Sequence, residues 1–511
     1  MRMELSWKKT WSVLGLILVL GFGARAYGLG NNSFVADEFL DMNSAYGYFQ
    51  TGEWKAWDFN HGAPSQVNAN DARDERANIY KWQVAQLFHI LPPTEATARI
   101  VSVFWGLVSM LVVFWSTLVF TRRKEIALLA TLLFAVSVAG IIFDRRLRMY
   151  AMFTPVYLAL ATVIYQSFED QARMRWCGWL QARIGVHPRY ALLSAVLLVI
   201  GLSTHQLSAM VVFSVAAYLI VMGIREYRAS GVWKNRYSGW LAFGIAGVAA
   251  LGMVAPQFLT SFTSGLMWFD DHYSYVGYVM EDYAHPLLAV FLMGFGAYVI
   301  ALRERQTKAA WYLTLSFLIP LAFAIWFFRR NAGPQYIFFA QSFGLILSAA
   351  GVYGLWEILK ERFSGWGRHT ALIVLIGLVL LVPNFGYFLE ENNTYHETSS
   401  GGNPNYRKVF EYFRKNQLPT DVLVTRNFRN YYWSGTDVTV YDLGDEIHRG
   451  KLSREALSAI VLRHPSGWVV LSDNDYDYFS NEAEELMKRD MERVSNPSVR
   501  GPIEVYRWGH K

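Results

Sequence analysis

The sequence predicts a polytopic α-helical membrane protein of about eleven transmembrane helices, closed by an extracytoplasmic α/β domain. Three observations predict it. Apolar runs long enough to cross a bilayer, which takes about 20 residues each, recur over the first three quarters of the chain. Lys and Arg gather on alternate connections between those runs, as the positive-inside rule requires of cytoplasmic loops. After Glu390 the pattern changes to short β-rich runs alternating with amphipathic helices. Composition agrees: 53% hydrophobic and only 17% charged residues over 511 positions is too apolar for a soluble chain of this size.

The apolar runs are Trp11 to Tyr27, Ala98 to Phe120, Ile126 to Phe143, Met149 to Phe168, Tyr190 to Ser203, Ser208 to Ile224, Trp240 to Phe262, Pro286 to Leu302, Trp311 to Phe328, Tyr336 to Trp356 and Ala371 to Phe388. The fifth is short, which suits a tilted span or one merged with its neighbour. The basic connections carry Arg2, Lys8 and Lys9; Arg122, Arg123 and Lys124; Arg173, Arg175, Arg183 and Arg189; Arg225, Arg228, Lys234 and Arg236; Arg303, Arg305 and Lys308; and Lys360, Arg362 and Arg368. The N-terminus is then cytoplasmic, and everything after Glu390 is extracytoplasmic. The first run has a basic flank like a signal peptide but no clear small-x-small cleavage site, so it reads as a retained span. The location is the inner or plasma membrane, with 1–390 as the transmembrane domain, 28–97 as its first extracytoplasmic loop and 391–511 as the α/β domain.

The formal charge of +6 is spread over the short inner loops, which gives a nucleic-acid partner little support. The single cysteine, Cys177, excludes a disulfide framework or a Cys-rich metal site within one chain.

Two outer loops and the C-terminal region bear on function. In the first loop, Phe39 to Phe49 and Ile79 to Leu91 have helical apolar spacing, the second through Ile79, Trp82, Gln83, Gln86, Leu87 and Ile90; both fit helices along a membrane surface. Such a loop is a lid or platform for a site at the interface. The loop Thr263 to His285 sets Asp270, Asp271, His272, Glu281, Asp282 and His285 among tyrosines and a tryptophan, a mixture that suits carbohydrate and also an interfacial aromatic belt. The C-terminal region reads as strands Asp421 to Thr425, Val438 to Asp442, Trp468 to Ser472 and Ile503 to Arg507, and helices Tyr406 to Asn416, Ser453 to Arg463 and Asn481 to Val494.

Two outer connections break the charge rule. Arg145, Arg146 and Arg148 lie between the third and fourth spans, and Arg329 and Arg330 follow the ninth. Positive charge there opposes the topological bias, so a function is the default reading, and guanidinium is shaped to grip a phosphate in two places. The alternative is snorkelling to lipid, or ion pairs to Asp144 and the first loop.

Arg25-Ala26-Tyr27-Gly28-Leu29-Gly30, a short spacer and then Asp37-Glu38 resembles the opening of the polyprenyl-phosphate-dependent glycosyltransferases of the GT-C superfamily, specifically family 39 and its relatives. These include protein O-mannosyltransferases and lipid A aminoarabinose transferases. Arg148-Met149-Tyr150-Ala151-Met152 opening the fourth span is a second match, with weaker echoes in Thr204-His205 and in Pro334-Gln335-Tyr336. Tyr406 to Phe413 followed by Asp421 to Val424 is similar to the soluble domain that closes many members. The resemblance implies the GT-C fold, Asp37 as the catalytic carboxylate supported by Glu38, and outer-face arginines holding the lipid phosphate, with Arg25 in the opening motif. Tyr150, His205 and Tyr336 are candidates to line the site, each weighed against an interfacial residue. The chain departs from the family in having Arg76 to Trp82 where relatives carry His-Pro-Pro or Pro-Leu-Tyr, and in having Gln335 for the usual Arg, which makes Arg329 or Arg330 a substitute.

The chemistry follows from the bond to be broken. A sugar on polyprenyl phosphate leaves with a weakly basic phosphate, whose second pKa is about 6, so no general acid is needed. What is needed is a base for the acceptor hydroxyl and fixed positive charge at the leaving phosphate. Asp37 supplies the first, and Arg148 with Arg145 or Arg146 the second; one carboxylate base predicts inversion. On spacing alone, Asp37 and Glu38 equally suit a helix start, with Asp37 as N-cap and Glu38 in the first turn. Adjacent carboxylates are also hard oxygen ligands, which leaves a divalent cation such as Mg or Mn open at Asp37 and Glu38. The partners implied are a polyprenyl-phosphate-linked sugar, a glycan, lipid or protein acceptor, and membrane lipids. A lipid-linked sugar flippase or transporter would carry charged or broken mid-span segments in corresponding halves. A non-catalytic cell-envelope assembly subunit would survive loss of Asp37.

Overall fold

A computed structural model describes residues 5–59, 62–64, 76–263, 271–328, 333–364, 366–396, 405–426, 438–443, 451–472, 475–496, 499 and 503–510. In chain order its helices are α1 (Trp7–Ala26), α2 (Ala36–Thr51), α3 (Asn78–Phe88), α4 (Glu95–Thr121), α5 (Lys124–Ala135), α6 (Val138–Asp144), α7 (Tyr150–Glu169), α8 (Arg175–Ile184), α9 (Pro188–Thr204), α10 (Met210–Ser230), α11 (Arg236–Val254), α12 (Pro256–Thr263), α13 (Ser274–Met280), α14 (Pro286–Tyr298), α15 (Thr307–Phe327), α16 (Phe338–Arg362), α17 (Trp366–Leu381), α18 (Tyr406–Asn416), α19 (Arg454–Arg463) and α20 (Asn481–Asp490). The strands are β1 (Trp57–Asp58), β2 (Ala63–Pro64), β3 (Asp421–Thr425), β4 (Thr439–Asp442), β5 (Ser466–Ser472), β6 (Glu492–Arg493) and β7 (Ile503–Trp508).

The chain divides into two compact units. The first comprises Met1–Ala26, Ser102–Arg145 and Met149–Tyr387; the second comprises Tyr27–Val101, Arg146–Arg148 and Phe388–Lys511. Among the described residues, eight helices are long and apolar enough to cross a membrane, and ten spans result if each of two bent helix pairs counts as one. This is a multi-pass membrane protein. The eleventh expected span is α17, sixteen residues long.

The third expected span is not one straight helix. α5 and α6 meet at 61°, because Ser137 stops the first and caps the second, its Oγ accepting from Gly140 N at 2.9 Å. Asp282 completes the break by accepting from Ser137 Oγ and Ala139 N, both at 2.8 Å. Burial pushes that carboxyl up to about 6 even with these donors on it. The fifth expected span is α9, and the preceding helix α8 meets it at 73°.

Within this unit α14 and α16 come together through glycines. A Cβ on Gly296 would lie 1.8 Å from Leu347 O, and one on Gly351 2.2 Å from Leu292 O. Without side chains there, the backbones approach closely, as membrane helix pairs commonly do. The ends of α7, α11 and α15 are tied by Glu169, which accepts from Arg236 at 3.1 Å and from Lys308 at 2.6 Å.

In the second unit a five-stranded sheet has the order β4-β3-β5-β7-β6, with β3 parallel to β4 and β5, and β7 antiparallel to β5 and β6. Its central strands β3 and β5 are buried along their whole length, which is why they read as continuous apolar runs rather than alternating ones. Trp468 is enclosed and donates Nε1–H to Asp421 Oδ2 at 2.7 Å. All four expected strands and three expected helices are present within a few residues, except that the last helix ends at Asp490 and gives way to β6.

The first outer loop belongs to this same unit. Phe39 meets Tyr406 edge-on at 5.2 Å, and Arg407 donates Nε–H to Glu95 Oε1 at 2.9 Å and Nη2–H to Gly30 O at 2.8 Å. Both expected loop helices form, as α2 and α3. The apolar stripe of this segment faces outward: Ile79, Trp82 and Ile90 are exposed, while Tyr80, Lys81, Val84, Ala85 and Phe88 are buried. An exposed apolar stripe is what a helix resting against lipid presents, so hydrophobicity does not mark the inside here.

The glycine contact generates a stability test. Gly296→Ala forces backbone against backbone and is expected to lower the unfolding temperature in detergent, with overpacking costing about 1–3 kcal/mol or more. Gly294→Ala, whose added Cβ meets nothing within 4 Å, is the control and leaves the melting curve unchanged.

Candidate active site

The site begins with how α2 starts. Val35 is extended, and the helix opens one residue later; Glu38, in its first turn, reaches back to accept from Val35 N at 3.0 Å. That is the reciprocal half of a capping box. It fixes which way the first turn faces. Glu38 points inward and is completely buried, whereas the next carboxylate toward the N-terminus, Asp37, has a side chain 60% exposed.

Arg99, at the start of α4, holds Glu38 as a bidentate pair: Nε donates to Oε1 at 2.8 Å and Nη2 to Oε2 at 2.7 Å. Its remaining hydrogens go to the carbonyls of Leu29 at 3.0 Å, Asn32 at 2.8 Å and Ser33 at 3.0 Å. All five guanidinium donors are therefore used. The backbone N–H of Leu147 donates to Glu38 Oε1 at 2.6 Å. Burial alone raises the Glu38 pKa, but Arg99 and the two backbone donors outweigh it and hold the carboxyl below its ordinary value.

Leu147 belongs to the short Arg146–Arg148 turn, and the same turn delivers Arg148. Its Nη1 donates to Asp41 Oδ2 and to the carbonyl of Asp37, both at 3.0 Å, and its Nη2 lies 3.5 Å from Asp37 Oδ2. One guanidinium is thus shared by two carboxylates one helical turn apart on α2. Asp41 is nearly buried, and burial raises its pKa against the opposing charges of Arg148 and Lys81. Lys81 on α3 is itself fully buried; its Nζ donates to Ser44 Oγ at 2.8 Å and sits 5.5 Å from the Trp54 ring.

Asp41, Arg99 and Lys81 were not picked out by the sequence reading. Two signals mark them: Asp41 is the i+4 neighbour of Asp37, and Arg99 is an ionisable residue at the edge of an apolar span. Lys81 has no comparable signal, since its burial depends on which face of α3 turns inward.

The other expected site residues fall as follows. Arg25 is wholly buried in the first unit, donating Nε–H to Asp144 Oδ2 at 2.7 Å and Nη1–H to Ala135 O at 2.9 Å. Arg145 donates Nη1–H to Arg25 O at 2.9 Å. Both side chains are engaged within the protein: Asp144, weighed as a partner for the arginines at 145–148, is taken by Arg25, while Arg145 donates to backbone carbonyls. Arg146 is half-buried in the second unit's turn. Tyr150 is buried and His205 half-buried, their rings 5.4 Å apart, and His205 Nδ1 accepts from Leu207 N at 3.1 Å to cap the turn ahead of α10. Tyr336 closes a short turn, Pro334–Tyr336, and is half-buried. Arg329, Arg330 and Asp270 lie outside the described residues.

A divalent cation does not fit the Asp37-Glu38 pair. Both Glu38 oxygens are taken by Arg99 and backbone donors, so the two carboxylates do not converge on one point. Among the described residues no group of three His, Cys, Asp or Glu side chains is arranged for a metal.

No protein-family model and no curated protein sequence matches the chain. Solved structures do. ArnT from Cupriavidus metallidurans bound to undecaprenyl phosphate matches with a TM-score of 0.56 at 11% identity, over 98% of each chain. The archaeal oligosaccharyltransferase AglB from Archaeoglobus fulgidus, in complex with an inhibitory peptide and a dolichol-phosphate, gives 0.61 at 9% identity, over 98% of this chain and 74% of that one. The arabinofuranosyltransferase AftD from Mycobacteria gives 0.50 at 13% identity, over all of this chain and 40% of that one. The fold is that of the GT-C glycosyltransferases.

The Glu38–Arg99 pair makes a pH-dependent prediction. Glu38→Gln strands a buried cation and is expected to cost about 3–5 kcal/mol. A glutamate whose folded pKa is depressed adds stability above its ordinary pKa of 4.5 and loses it as pH falls through the lower folded value. In chemical-denaturation curves the gap between wild type and Glu38→Gln is therefore wide at neutral pH and closes on acidification below 4.5.

Proposed function

We propose that the chain is a membrane glycosyltransferase that moves a sugar from a polyprenyl-phosphate donor to an acceptor hydroxyl at the extracytoplasmic face, with inversion at the anomeric carbon. The observation that carries this reading is the exposed Asp37 carboxylate, held on a GT-C fold by a buried neighbour and flanked by Arg148. The bound undecaprenyl phosphate and dolichol-phosphate of ArnT and AglB support a lipid-phosphate donor.

In this reading Asp37 takes the proton of the attacking hydroxyl while the bond from sugar to phosphate breaks. Its exposure leaves it open to an acceptor, and its fixed helix turn supplies the orientation on which general-base catalysis depends. Glu38 does not share the chemistry: both its oxygens are engaged, so it positions the turn that carries Asp37. Glu38 and Asp41 are buried and engaged, which leaves Asp37 as the exposed carboxylate of the three, and direct displacement follows.

Arg148 has two tasks. It is held by Asp41 and by the Asp37 carbonyl, and its charge lies beside the base and near where negative charge develops on the leaving phosphate. Arg146 and, beyond the described residues, Arg329 and Arg330 are the further candidates for the lipid phosphate. Tyr150, His205 and Tyr336 are candidates to line the donor path.

The test is purified protein incubated with a panel of polyprenyl-phosphate sugars, following release of the lipid phosphate. Asp37→Asn keeps the shape but cannot take the proton, and is expected to lower release about 100-fold or more while the protein still purifies as a folded monodisperse species. Near-normal turnover in that variant rejects Asp37 as the base. Arg148→Lys is expected to recover only part of the activity lost in Arg148→Ala, because a point charge cannot bridge Asp41 and Asp37 as the fork does. Equal activity of the Lys variant and wild type removes the geometric role.

A further inference from the structure

The feature that the transfer chemistry does not use is α8. It lies across α9 at 73°, and α9, at seventeen residues, has a length of about 25 Å, close to the apolar thickness of a bilayer. With α9 crossing the membrane, α8 runs near the membrane plane. One side of it is fastened to the protein: Cys177 is buried, Trp240 donates Nε1–H to Ile184 O at 2.7 Å, and Gln181 accepts from Ala172 N at 2.8 Å and donates to Asp170 O at 2.7 Å. The opposite side carries Trp176 and Trp179, 56% and 57% exposed. Each indole is paired with a guanidinium, Arg183 lying 4.1 Å from the Trp179 ring and Arg189 5.9 Å from that of Trp176.

Charge along this segment has one sign. From Gln171 to Tyr190 there are four arginines, Arg173, Arg175, Arg183 and Arg189, and no acidic residue; all four are exposed. The nearest carboxylates precede it and are engaged, Glu169 by Arg236 and Lys308, and Asp170 by Gln166. Exposed indoles flanked by exposed guanidinium groups, on a helix parallel to the membrane, match the two layers of an interface, apolar carbon below and phosphate above.

We propose that α8 is an interfacial helix that docks on anionic lipid headgroups, with Trp176 and Trp179 seated at the acyl boundary and the four arginines at the phosphates. The occupant is the bilayer surface rather than another protein because the patch pairs aromatic rings with uniform positive charge, complementary to a negatively charged leaflet. A phosphatidylglycerol surface is such a leaflet. The inference stands apart from the transfer reaction and does not depend on which carboxylate is the base.

Full-length protein in nanodiscs of phosphatidylcholine alone, or mixed with phosphatidylglycerol, tests it. Phosphatidylglycerol is expected to raise the unfolding temperature of the wild type, and Arg173→Gln/Arg175→Gln/Arg183→Gln/Arg189→Gln to lose most of that rise, each arginine near an anionic surface contributing about five-fold in lipid affinity. An undiminished rise in the variant overturns the proposal, as does a variant that instead changes oligomeric state in pure phosphatidylcholine, which assigns the face to a second copy. Depth is read separately, so a poorly folding variant does not decide the matter. A spin label on Trp179→Cys, with Cys177→Ala, is expected to collide more often with oxygen than with a water-soluble nickel chelate. The reverse order places α8 in water and removes the interface.

Discussion

The bidentate pair between Glu38 and Arg99 is the constraint on which the arrangement of the second unit depends. It joins the first turn of α2 to the start of α4, and through Leu147 it also pins the turn that carries Arg148. Taking two charges out of water is costly, and a buried pair returns that cost only when every donor and lone pair is matched. Here all five Arg99 donors find acceptors, and both Glu38 oxygens accept. The gain is in position rather than in net stability. With Glu38 fixed inward, Asp37, one residue earlier on the helix, is fixed outward, the orientation that the proposed base requires.

The first unit contains a second buried pair, joined through one carboxylate oxygen. Arg25 and Asp144, both wholly buried, join α1 to the end of α6. The outer-face arginines read from the sequence as a group thus divide by partner: Arg25 and Arg145 serve the helix bundle, while Arg148 faces two carboxylates of α2. Sequence alone cannot make that division, since each is an arginine at the outer end of an apolar run. What separates them is the acid that each one reaches, 119 residues away for Arg25 and 107 for Arg148.

What was legible followed from local pattern. Hydropathy located the spans, continuous apolar runs located β3 and β5, and the adjacency of Asp37 and Glu38 to a helix start located the acidic turn. Pattern does not reveal which polar residues turn inward. The stripe of Ile79, Trp82 and Ile90 marks the outward face of α3, and the buried face carries Lys81. An apolar helix face packs inward in water because water rejects it, but lipid does not, so near a membrane the inward face is chosen by hydrogen bonding and shape. The break at Ser137 is half hidden for a related reason: Ser137 caps α6 locally, but Asp282, which completes the break, is 145 residues distant.

Asp41 shows what such long-range pairing adds to a site. Read along the sequence, it is one more acidic residue in a surface helix, three positions after Glu38. In the fold it is nearly buried against Arg148, and it shares that guanidinium with Asp37. If Asp37 is the base, as proposed above, a guanidinium held by it alone would follow it as it moved or took up its proton. One also held by Asp41 stays in place, because Asp41 lies one turn further along α2 and is nearly buried, whereas Asp37 is exposed. In the proposed transfer, the positive charge of Arg148 then stays in place as Asp37 takes up the acceptor proton. Under the proposed function the deeper carboxylate supplies the preorganisation and the exposed one the chemistry, a division of labour that neither residue's own neighbours in the sequence reveal.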